Sequence, residues 1–215
     1  MNSARQRGIR ALLRRCDNRC VPSRLKDVEQ RLERTEEQLR LFQKISRMMV
    51  RDMSLQEVLQ GIVSLVTEFM ECDSCLVYLL DGDRLVLCAS NNPNSPSIGK
   101  VTLNLSEGLT GWVARERRLL AISREAYHDP RFKYFSDLPE DTFEAFLSAP
   151  VISRNRVVGV INVQHRAVHQ HSGLELELLN TVGEQVGALL MLARIAPSQL
   201  DSASHVDLVL SSGKQ

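Results

Sequence analysis

Aromatic side chains make up only 5% of this 215-residue chain, with one tryptophan, three tyrosines and six phenylalanines. A core built mainly on aromatic stacking is therefore excluded, and the apolar mass has to come from Leu, Ile, Val and Ala. Cysteine is scarce too: five residues, an odd number, without the spacing of a disulfide framework. That pattern points to a reduced, cytoplasmic chain. No apolar run approaches the roughly 20 residues needed to span a bilayer, and the start has no apolar core of a secretory signal. Catalytic signatures are missing as well. There is no Ser-His-acid order and no paired-carboxylate motif, and the Gly108-Leu-Thr-Gly111 glycine pair lacks the Lys-Ser/Thr of a phosphate loop. The chain is read as a non-enzyme.

Charge is balanced in total, at +1, but not along the chain. Residues 1–26 carry eight basic groups against Asp17 alone. Residues 1–22 are read as a basic, unstructured arm, in the first place a solvated end. An arm for nucleic acid or anionic lipid is the less favoured reading, and the Arg-rich start also resembles a transit peptide. From Leu25 a seven-residue period sets in. Leu25, Leu32 and Leu39 form one series, and Val28, Thr35, Phe42 and Met49 the other. These are a and d positions of a coiled coil over residues 23–53, which predicts a parallel pair of chains.

Residues 54–195 read as one α+β domain. Ser54-Leu-Gln-Glu57 is a capping box opening a helix, and Ser172-Gly-Leu-Glu175 opens a long last one. "CLVYLLDGDRLVLCAS" predicts a hairpin around Asp81-Gly82-Asp83. Strands follow near Val101–Leu105 and at "LLAIS", with a short helix at "GLTGWVARER" between them. "AFLSAPVISRNRVVGVINVQH" is a second, longer hairpin turning at Arg154-Asn155. Strands joined mostly by hairpins and flanked by helices imply an antiparallel sheet rather than βαβ repeats. The tail from 196 is small and polar, and is expected to be disordered. The aromatics that the chain does have are concentrated: four of the six phenylalanines and two of the three tyrosines lie in Ala126–Val151. Long connections carrying their own apolar side chains are commonly lids or binding loops.

Three stretches, "EGLTGWVARERR", "AYHDPRFKYF" and "FLSAPVISRNRVVGVINVQHR", in that order and spacing, resemble a GAF domain over roughly residues 54–195. The wording is similar to bacterial GAF domains that precede phosphotransferase-system enzyme I or antiterminator modules. The resemblance implies a six-stranded antiparallel sheet, with the first and last helices on one face and involved in dimerisation. It also implies a small-molecule pocket on the other face, under the helix starting at Glu107, with the aromatic stretch as its lid. Trp112, Tyr127, Phe132 and Phe146 are the expected ligand-binding residues. Leu25, Val28, Leu32, Leu39, Phe42, Met49, Val182, Val186 and Leu189 are the expected dimer interface, Gly183 and Gly187 allowing close approach.

The partners expected are an unidentified small ligand, a second copy of the chain and a separate signalling output protein. No cofactor and no metal is assigned. The GAF methionine sulfoxide reductases place a cysteine after the glycine opening the short helix and another in the lid. Here those places read "GLTG" and "HDPRF". The cyclic-nucleotide motif is not matched either, since Gln164-His165-Arg166 stands where Asn-Lys is expected. Cys72-x-x-Cys75 and the group His165, His169, His171 leave a redox or metal-dependent sensor, or a methionine sulfoxide reductase-like enzyme, as the alternative.

Overall fold

The structure, a computed structural model, describes residues 3–51, 53–91, 97–133 and 143–195. It divides the chain into two compact units, Met1–Gln43 and Lys44–Gln215. Helix α1 spans Ser3–Met49. It therefore starts well ahead of residue 23 and takes in residues 3–22 of the segment that the sequence suggested as an unstructured arm, where Ala, Leu and Arg favour helix. Within the first unit the predicted heptad stripe is present on α1 and turned to solvent. Leu25, Val28, Leu32 and Leu39 are 56–64% exposed, while Phe42 is half-buried.

In the second unit the last turns of α1 bury Ile45 completely, and Met49 is half-buried. α2 (Leu55–Met70) opens on the expected capping box. The Glu57 amide donates to Ser54 Oγ at 3.2 Å, and the Ser54 amide donates to Glu57 Oε2 at 2.7 Å. Its inward stripe, Val58, Leu59, Ile62, Val63 and Val66, is almost wholly buried. The strands follow as β1 (Ser74–Asp81), β2 (Arg84–Ser90), β3 (Thr102–Asn104), β4 (Leu120–Ile122), β5 (Ala145–Ser153) and β6 (Arg156–His165). α3 (Gly108–Glu116) lies between β3 and β4, and α4 (Gly173–Ile195) closes the domain.

These form one six-stranded antiparallel sheet in the order β3-β2-β1-β6-β5-β4. Both predicted hairpins are present, β1–β2 and β5–β6. The second turns through Arg154 and Asn155 at φ 46° and 60°, the two left-handed residues of a type I′ turn. Side-chain alternation divides the sheet into two faces. Asn162 and Ser148 point to α3, so their neighbours Ile161, Val163 and Leu147 point to the opposite face, all three fully buried. That face carries α2 and α4, which pack on β1, β2, β5 and β6.

The packing of α4 changes one expectation. Val182 and Val186 are fully buried and Leu189 is 8% exposed within the single chain. Gly183 and Gly187 lie against the backbone of β5, where an added Cβ would overlap the Pro150 and Ile152 carbonyl oxygens. The stripe read as a face between two chains is the one that seats α4 on its own sheet. The glycines serve helix-on-sheet contact, and the large apolar side chain of α4 left exposed among the described residues is Leu192.

Candidate functional site

On the α3 face of the sheet, an open cleft of about 370 Å³ lies between the start of α3 and the segment after β4. Its lining comes from Ser106, Glu107, Gly108, Trp112 and Arg115 on one side and Pro130, Arg131, Phe132 and Lys133 on the other. The chain reaches this geometry through Gly108, which turns into α3 at φ 68°. Gly111, one turn later, lets α3 rest on the Asn104 and Leu105 carbonyl oxygens, 2.7 and 2.8 Å from where a Cβ would stand.

Ionic contacts hold both walls. The Glu107 carboxylate accepts from the Asn104 amide at 2.9 Å and meets Lys133 Nζ at 2.8 Å. Those two contacts, Lys133 first, bring its pKa down to about 2. Arg131 makes a two-pronged contact with Asp129, Nε to Oδ1 at 2.8 Å and a terminal nitrogen to Oδ2 at 2.7 Å. The contact holds the Asp129 carboxyl below its ordinary range. With its guanidinium fixed in this way, Arg131 lies 4.7 Å above the centre of the Trp112 ring, a cation–π contact that ties the two walls together.

The four aromatics singled out in the sequence take three different places. Trp112 and Phe132 line the cleft. Phe146 is 3% exposed and sits beneath it in a small cluster with Leu109 and Ala126, against which Phe132 packs. Tyr127 is outside the lining. Its hydroxyl donates to Glu144 Oε1 at 3.1 Å, and the same carboxylate accepts the Glu125 amide at 2.9 Å, so Tyr127 anchors the base of the loop. Residues 134–142 of the expected lid, with Pro139 and the acids Asp137, Glu140 and Asp141, lie outside the described residues.

The sequence reading overlooked the cleft's cations, Arg115, Arg131 and Lys133, and a buried polar chain under α3. Asn162 Nδ2 donates to Thr110 Oγ1 at 2.8 Å, and Ser148 Oγ donates to Asn162 Oδ1 at 2.7 Å. All three residues are buried, Ser148 completely. A signal for them existed: Ser148 and Asn162 each interrupt an otherwise apolar central strand, and a polar group there needs a partner.

In the sheet unit Cys72, Cys75 and Cys88 are free and buried. Burial pushes the Cys72 thiol up to about 11 and Cys88 to about 12, and lifts Cys75 well above its ordinary value. All three are protonated at neutral pH and so are poor nucleophiles. On the other face of the sheet, His165, His169 and His171 come together beside Glu175 at the start of α4.

A curled antiparallel sheet with helices on both faces and a cleft beside the short helix defines a class of small-ligand-binding regulatory domains. Residues 54–190 match the GAF domain family, and the chain belongs to it. It is 34% identical over 138 residues to a protein of Escherichia coli K12 named for the phosphoenolpyruvate-dependent phosphotransferase system. That match covers 63% of this chain and 18% of the relative, so the chain spans under a fifth of the relative's length. Among solved structures, the GAF domain of an Acinetobacter phosphoenolpyruvate-protein phosphotransferase is 30% identical with a TM-score of 0.66, covering 76% of this chain and 98% of that one. A free methionine-R-sulfoxide reductase from Neisseria meningitidis, solved with its substrate, is 14% identical with a TM-score of 0.62, covering 73% of this chain and 89% of that one. At that identity the likeness is one of fold. No described helix is long and apolar enough to cross a membrane.

Proposed function

We propose that this chain is a non-catalytic sensory module that binds a small organic anion in the cleft beside α3 and passes the event to a separate protein through paired α1 helices. The observation that carries this reading is the cleft itself. At about 370 Å³ it is of the size that holds small metabolites. Trp112 and Phe132 offer apolar surface, and Arg115, Arg131 and Lys133 bring three cations to the walls, each paired with one acid, Glu116, Asp129 and Glu107 in turn. The positive end of α3 favours an anionic group beside them. Pairing is supported by the exposed Leu25, Val28, Leu32 and Leu39 stripe, whose period is that of a two-stranded coil. The buried, protonated cysteines argue against thiol redox catalysis.

Native mass spectrometry of the freshly purified protein tests the reading, followed by titration of any retained compound against the fluorescence of Trp112, the chain's one tryptophan. Phe132→Ala and Arg131→Ala are expected to weaken binding at least tenfold. Tyr127→Ala, outside the lining, should leave the affinity within about twofold. Equal losses in all three variants would assign the effect to the fold of the loop instead of the cleft.

A further inference from the structure

The three histidines of the β6–α4 connection and the first acid of α4 form a second chemical centre. His165 ends β6, two residues on from Val163, and so lies on the α2/α4 face, opposite the α3 cleft. One metal-binding atom from each of His165, His169, His171 and Glu175 falls within 4.8 Å of the others. The His165 and His169 rings stack at 3.9 Å, and the His171 ring centre is 5.0 Å from His169 and 5.7 Å from His165.

The hydrogen bonding of this group is incomplete in a telling way. His165 is 6% exposed, and its buried Nε2 has no partner. Both ring nitrogens of His171 are buried without a full hydrogen bond, the Ile122 carbonyl giving the ring a weak backbone contact. Buried polar atoms are rarely left this way, because each costs roughly 1–3 kcal/mol. Glu175 divides its work. Its Oε2 accepts the Ser172 amide at 2.6 Å and caps α4, leaving Oε1 beside His169 Nε2 at 2.7 Å. The His169 amide donates to the Ser123 carbonyl at 3.0 Å, which pins the connection to the end of β4. Burial, first of all, lowers the pKa of His165 and takes that of His171 to about 4.

We propose that His165, His169, His171 and Glu175 bind one zinc-class divalent ion, a site of three imidazoles and one carboxylate. This donor set suits zinc, with imidazole nitrogen and carboxylate oxygen in a tetrahedron. Bond lengths of about 2.0–2.1 Å place tetrahedral ligand atoms about 3.3 Å apart, so the most separated pair closes by about 1.5 Å. Ring rotations of His169 and His171, both on the connection and only partly buried, supply that movement. Four protein ligands close the coordination sphere, which makes the role structural and not hydrolytic. The ion fastens the end of β6 to the first turn of α4 and takes up the orphaned ring nitrogens. Because α4 is seated on β5 along its length, the site sets how firmly that helix is held.

The test uses the full chain, without an affinity tag, after chelator treatment. Zinc titrated calorimetrically is expected to bind at one ion per chain and to raise the melting temperature, as any ligand selective for the folded state does. Cobalt at the same site is expected to give the visible bands of a tetrahedral N3O centre. His169→Ala and His171→Ala should each weaken zinc binding by more than the roughly 10–100-fold typical of losing a supporting contact. Glu175→Gln keeps an oxygen for the Ser172 cap and should weaken binding while the circular dichroism stays unchanged. Absence of zinc binding to the wild-type protein overturns the proposal. So does unchanged affinity in the His169→Ala, His171→Ala double variant, or loss of binding on Cys72→Ser, Cys75→Ser with the histidines intact. If the double variant fails to fold, an unchanged zinc affinity in Glu175→Gln overturns the proposal in its place.

Discussion

Asn162 shows how much one side chain can decide. It lies in the middle of β6, 1% exposed, and serves both neighbours: its amide nitrogen donates to Thr110 and its oxygen accepts from Ser148. Thr110 belongs to α3 and Ser148 to β5, so one amide fixes where the cleft-forming helix sits on the sheet. Replacing Asn162 by Leu removes both bonds at once and strands two buried hydroxyls. The expected loss is about 2–4 kcal/mol, read as a lower urea midpoint at unchanged slope, since each unpartnered buried group costs roughly 1–3 kcal/mol. Thr110→Val, which keeps the shape but leaves the Asn162 amide nitrogen without its acceptor, should cost about 1–2 kcal/mol. A larger loss from Thr110→Val than from Asn162→Leu would contradict this account.

Among the elements, α1 and α4 carry apolar stripes that look alike as sequence and differ in use. On α4 the stripe is spent inside the chain, and Gly187 marks how tightly. Gly187→Ala places a methyl against the Ile152 carbonyl oxygen of β5. Overpacking of this kind costs about 1–3 kcal/mol. The variant is expected to melt several degrees lower without any change in oligomeric state, measured by calorimetry and light scattering. A change of assembly with unchanged stability would return the α4 stripe to an interface between chains. On α1 the stripe faces solvent, and a lone helix of that kind needs an apolar partner to be stable. Leu32→Asp with Leu39→Asp is expected to turn a dimer into a monomer in light scattering while the sheet unit keeps its melting temperature. A wild type that is monomeric at tens of micromolar, by rough analogy with weak protein pairs, would remove the paired-helix part of the proposed function.

For the whole molecule, the division at Gln43 and Lys44 carries its own expectation. The sheet unit contains every described strand, all of α2, α3 and α4, and the fully buried Ile45. Deleting residues 1–40, which stops short of the buried Leu41, should leave a folded fragment whose unfolding midpoint lies within about 2 °C of that of the full chain, a shift of under about 1 kcal/mol for a domain of this size. The same deletion should abolish dimerisation. Loss of cooperative unfolding in the fragment would show that the first unit is needed for the fold.

Local physics made part of this readable in one dimension. The two capping boxes, the Arg154-Asn155 turn, both hairpins and the heptad period of α1 depend on contacts only a few residues apart, and each was legible. The family resemblance was carried by three short stretches of this kind. Other features were set by contacts between residues far apart in the chain. Val182, Val186 and Leu189 have the same pattern whether they meet a second chain or β5, and the backbone of β5 against Gly183 and Gly187 settled it. Trp112, Tyr127, Phe132 and Phe146 are equally aromatic, and only the fold separates two that line the cleft, one beneath it and one that braces the loop through Glu144. The Thr110–Asn162–Ser148 chain joins residues up to 52 positions apart. Periodicity determines which face of an element is apolar, whereas only tertiary packing decides what that face meets.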